Sequence, residues 1–103
     1  MKEYTSFEAR IMGVNNIVDP HDQNVDVEVT LSGENLYIAT FFTIKNVISI
    51  MKHHTTTGES LSGQYFWASD MIIVDELSQS RIIAVVRDLL NDGVFFKAFR
   101  PKV

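Results

Sequence analysis

The stretch from Tyr65 to Leu90 constrains the fold more than any other part of the sequence. Tyr65-Phe66-Trp67-Ala68-Ser69-Asp70-Met71-Ile72-Ile73-Val74 is apolar on both alternations of a strand. Only a central strand is buried on both faces, so this segment is expected at the middle of a sheet. Asp75-Glu76-Leu77 then leads into a helical pattern from Ser78 to Leu90. Its apolar stripe is Ile82, Ile83, Val86, Leu89 and Leu90, with Ser78 as a candidate N-cap and Asn91-Asp92-Gly93 as a stop.

The preceding sequence supplies three more strands and a helix. Phe7, Ala9 and Ile11 alternate with Glu8 and Arg10, predicting a first strand from about Tyr4, with a bulge or interruption at Gly13 and Asn15-Asn16. Asp19-Pro20-His21-Asp22 reads as a turn. Val25, Val27, Val29 and Leu31 then alternate with Asp26, Glu28, Thr30 and Ser32, the pattern of a strand with one buried and one wet face. Ser32-Gly33-Glu34-Asn35 turns the chain into a third strand, Leu36 to Phe42, completing an antiparallel meander. Thr43 caps a helix with Ile44, Val47, Ile48 and Met51 on its apolar stripe, ending near His53-His54-Thr55. Residues 55–64 read as a polar loop, and Val94 to Phe99 as a last edge strand ended by Pro101. The expectation is a single α+β domain over residues 1–103, in the order β-β-β-α-β-α-β. Its sheet is mixed and five-stranded, with two helices mainly on one face.

Composition narrows the function classes. The 103-residue chain has no cysteine, which excludes disulfides, thiolate metal sites and thiol nucleophiles. Its formal charge is −4, and the acids crowd the first 44 residues, seven against two bases; the remainder holds six acids and seven bases. No broad basic face is available for nucleic acid. No apolar run is long enough to span a bilayer, and the N-terminus has no secretory pattern, so a cytoplasmic location is expected. In size, acidity and lack of catalytic motifs the chain resembles, by type, the small bacterial immunity and regulator proteins that act by binding a partner. That likeness rests on no particular motif.

Two candidate sites follow. If the helices cover one sheet face, Tyr37, Phe41, Tyr65, Trp67, Phe95 and Phe99 would form an aromatic surface on the other. Such a surface implies a protein partner or a second copy of the chain. The alternative is an enzyme or ligand site at the end of the Tyr65–Val74 strand. Asp70, Asp75 and Glu76 would act there with His53 or His54 in acid–base chemistry. Asp70 would otherwise pair with Arg10 or Arg81, or face solvent. Asp75 and Glu76 are also ordinary residues near a helix N-terminus. Adjacent helical histidines point about 100° apart, and there is no His-Glu-x-x-His pattern, so no metal or cofactor is expected. The 55–64 loop lacks the lysine and strand-to-helix placement of a phosphate cradle.

Overall fold

The computed structural model describes residues 6–13, 17–33 and 35–102. Tyr4 and Asn15-Asn16, invoked for the start and bulge of the first strand, lie outside them. The fold is α+β. An antiparallel meander of β1 (Phe7–Met12), β2 (Asn24–Leu31) and β3 (Asn35–Thr43) is followed by α1 (Ile44–Thr57) and a short α2 (Glu59–Gly63). Then come β4 (Met71–Val74), α3 (Gln79–Asn91), a helical turn α4 (Phe95–Ala98) and β5 (Arg100–Pro101).

β3 is the central strand. β2 pairs along one of its edges in antiparallel register, with Asp26 opposite Thr40 and Glu28 opposite Ile38. Its other edge is divided. β4 pairs in parallel with Thr40–Thr43, and β5 pairs antiparallel with Tyr37 and Ile38. The sheet is therefore mixed, as the sequence implies. Tyr65 to Val74, however, is not its centre: only Met71–Val74 enters the ladder, and as an edge. The reason is local. Ser69-Asp70 forms a turn with Asp70 at φ +52°, which breaks the extended chain between Ala68 and Met71.

One face of the sheet carries the core. Val25, Val27, Val29 and Leu31 of β2 bury with Ala39 and Phe41 of β3, beneath Ile82, Val86 and Leu90 of α3. Ser78 caps α3 by accepting the Arg81 amide at 3.0 Å. Val94–Phe99 is not a strand but a helical turn over the same core. Phe95 and Phe99 sit one turn apart, both buried, with their rings stacked at 4.5 Å. In so short an apolar run, an i, i+4 pair and a strand alternation look alike in sequence.

α1 departs from expectation in two ways. It continues through the threonines, with Thr55 and Thr56 donating their hydroxyls back to the Lys52 and His53 carbonyls. It stops at Gly58, which adopts φ +86° and donates its amide to the His54 carbonyl. The expected loop is thus helical only through Thr57, and a left-handed turn follows. Nor is α1 a core helix: none of its residues is fully buried, and Ile44 and Ile48 are exposed. Its 14 residues span roughly 21 Å at 1.5 Å per residue, and the molecule is elongated at 46 × 25 × 24 Å.

Polar contacts at its base orient this arm. Thr43, fully buried, accepts the Asn46 and Gln23 amides at 3.1 and 3.3 Å. Asp22 accepts from Asn46 Nδ2 and Ser49 Oγ at 3.1 and 3.0 Å. α2 folds back on α1 through a left-handed turn, with Ser60, Leu61 and Ser62 at φ +51° to +55°. That conformation costs an L-residue roughly 1–2 kcal/mol. Gly63 is what permits the return: at φ +82° it lies so close to α1 that a Cβ would collide with the Met51 carbonyl oxygen. Gly58 has open space around it. Gly58→Ala should therefore cost only the backbone strain, roughly 1–2 kcal/mol, and Gly63→Ala distinctly more in urea unfolding. Equal losses would contradict the close α1–α2 contact.

Candidate functional site

The helix-free sheet face is laced with charge rather than aromatic. β2 points Asp26, Glu28 and Thr30 this way, but Glu28 is not wet: it is 3% exposed. Arg10 on β1 and Lys102 beyond β5 converge on it, with Arg10 Nη2 at 2.7 Å from Oε1 and Lys102 Nζ at 2.6 Å from Oε2. A buried carboxylate needs such partners, and here both oxygens have one. The Lys102 hydrogen bond holds the Glu28 carboxyl below the usual glutamate range. Burial opposes that shift, and Arg10 reinforces it.

Beside this cluster lies a cleft of about 350 Å³. Met12, Ile38 and Ala68 give it apolar walls; Asp26, Asp70, Arg100 and Lys102 give it charge. Asp70 pairs neither with Arg10 nor with Arg81. Its Oδ2 lies 2.7 Å from Arg100 Nε, while its carbonyl accepts the Thr40 amide at 2.9 Å. Asp26 accepts from Thr40 Oγ1 at 2.7 Å. The elements that meet here are distant in sequence: β1, β2, β3, the 68–70 turn and the C-terminal segment.

The predicted aromatic surface is dispersed. Phe41, Phe95 and Phe99 are core residues, each at most 1% exposed. Tyr37 is half-buried on the helix side, edge-on to Phe95 and Phe96. They would share a face with Tyr65 and Trp67 only if 65–74 and 94–99 were continuous strands, and neither is. Tyr65 and Trp67 are indeed exposed, at 47% and 68%. Between them Phe66 turns inward and covers Phe42 at 5.3 Å, closing part of the helix-free face.

The carboxylate–histidine grouping is not assembled either. Asp70 and Asp75 flank opposite ends of β4, roughly 16 Å apart at about 3.3 Å per residue. Asp75 makes a two-pronged pair with Arg81 of α3, at 2.9 and 3.1 Å, and accepts the Glu76 amide at 2.8 Å. Burial pushes the Asp75 carboxyl up, but Arg81 and that amide outweigh it, and the net shift is downward. His53 and His54 lie on α1, with His54 Nε2 at 3.6 Å from Glu59. Among the described residues no three metal-ligating side chains converge, and no helix is long and apolar enough to cross a membrane.

A second set of exposed groups lies on the arm and on the chain that follows it. Nine large apolar side chains are exposed among the described residues, and six belong to the span 44–73: Ile44, Ile48, Leu61, Tyr65, Trp67 and Ile73. β4 runs alongside the end of β3 with Val74 opposite Thr43, so Ile73 lies beside the base of α1. The apolar stripe of α1 was legible in sequence; that its Ile44 and Ile48 stay exposed was not.

These features define a class, an α+β domain with an apolar arm and a charged sheet face. No family model, curated protein or solved structure matches the chain.

Glu28 generates a pH prediction. Its folded pKa is lowered, so the stability it contributes is complete above the ordinary glutamate value of 4.5 and is lost as pH falls below that toward the folded value. Thermal unfolding from pH 6 downward should show the wild type losing stability in that range. Glu28→Gln should be less stable at pH 6, because it removes the negative charge and one of the two oxygens that Arg10 and Lys102 share, and should show a shallower acid dependence.

Proposed function

We propose that the protein is a non-catalytic binding or regulatory module that acts by contact and self-associates through the apolar surface of the arm. The carrying observation is Trp67, a large rigid side chain left 68% exposed in a span that also exposes Tyr65, Leu61 and, on α1, Ile44 and Ile48. Folded chains rarely leave many large apolar groups in water over one region, and aromatic side chains dominate binding energy at interfaces. The aromatic anchors of this reading are Trp67 and Tyr65; Phe41, Phe95 and Phe99 belong to the core.

The charge distribution supports the same reading. α1 carries Lys45 and Lys52 and no acid, while the N-terminal meander is acidic. Opposite charges on the two regions favour association in a fixed orientation and speed encounter.

Light scattering over a concentration series tests the proposal. The wild type should gain mass with concentration. Trp67→Ala and Ile48→Ser should suppress that gain while leaving the far-ultraviolet circular dichroism and the melting temperature nearly unchanged. Phe41→Ala should behave oppositely, costing about 3–5 kcal/mol of stability as a core truncation. Mass independent of concentration in the wild type, or unaltered association in Trp67→Ala, would contradict the proposal.

A further inference from the structure

We propose that the cleft on the helix-free face binds a small organic carboxylate with an apolar body, its carboxylate held by Arg100. The cleft volume of about 350 Å³ falls within the roughly 300–1,000 Å³ range of small-molecule sites. Apolar walls with a few convergent polar groups are also the usual composition of such sites. Met12, Ile38 and Ala68 provide the surface for an apolar body.

Arg100 supplies the selectivity. Asp70 engages its Nε at 2.7 Å, and among the described residues its two terminal nitrogens have no partner. Those nitrogens form a planar fork suited to two parallel hydrogen bonds with a carboxylate. Pairing with β3 fixes the position of Arg100: Ile38 is its register partner, and the Lys102 amide donates to the Leu36 carbonyl at 2.9 Å. The guanidinium is therefore held on the cleft wall by the sheet and by Asp70.

The neighbouring charges leave room for an anion at Arg100. Glu28 is matched by Arg10 and Lys102, and Asp70 by Arg100 itself. Asp26 is a cleft-lining acid with no cationic partner among the described residues; its Oδ1 accepts from Thr40. It lies on β2, across the Ile38–Thr40 segment of β3 from Arg100. A ligand amine would be drawn to Asp26, and a carboxylate to Arg100. The guanidinium offers a carboxylate two parallel bonds, whereas one oxygen of Asp26 is already engaged by Thr40, so the second interaction is the stronger.

The probes are hexanoate, hexanol and hexylamine, titrated into the isotope-labelled full chain while amide shifts are followed by NMR. Hexanoate should move the Met12, Ile38, Ala68 and Arg100 amides saturably, and the other two probes should bind at least tenfold more weakly. Arg100→Gln should weaken hexanoate about tenfold or more, as expected for losing hydrogen bonds to a charged group. Asp70→Asn leaves an amide oxygen to accept from Arg100 Nε and removes the opposing negative charge, so it should bind hexanoate more tightly than the wild type. It serves as the second variant if Arg100→Gln does not fold. Equal binding of hexanol, preference for hexylamine, or weaker hexanoate binding by Asp70→Asn would overturn the proposal.

Discussion

The fold depends on β3 being paired along both edges and buried through its second half. β2 occupies one edge of the strand, and β4 and β5 divide the other. Phe41 is sealed beneath the helices and Phe42 beneath Phe66. Enclosure satisfies the backbone hydrogen bonds of the strand and removes its apolar side chains from water together. It also explains why the strands that finish the sheet are so short. Each has only part of one edge to fill, so the chain on either side is free to turn, coil or become helical.

The opposite face has a different energetic basis. A buried carboxylate is costly unless its lone pairs are met, and Glu28 meets that requirement with one cation from β1 and another from the C-terminal segment. This arrangement ties the two ends of the described chain to the middle of the sheet. It brings Arg100 and Lys102 over Ile38 and so forms the cleft wall. The same residues give that face its charge pattern, which an apolar or aromatic surface could not supply.

The sequence carried the architecture better than its details. Strict alternation located β2, and Val25, Val27, Val29 and Leu31 are its buried apolar residues, with Glu28 buried besides. Both main helices were visible from caps and stripes. What misled was length. The ten apolar-rich residues from Tyr65 read as one buried strand, although Ser69-Asp70 is a turn signal within them. Phe95 and Phe99 fit helix and strand periods equally well. The burial of Glu28 and its two partners depends on register across three strands, which no local pattern encodes. Nor does a helical stripe say whether a core awaits it, and α1 is the case in point.

The molecule thus divides into a sealed sheet with α3 and an arm held by polar contacts at its base. Amide hydrogen exchange, measured by NMR at a concentration low enough for a monomer, tests this division most directly. The account predicts the slowest exchange in β2, β3 and α3, and exchange faster by orders of magnitude through Val47–Thr57 of α1. Protection in α1 equal to that of β3 in the monomer would contradict it, because the arm would then belong to the same cooperative core.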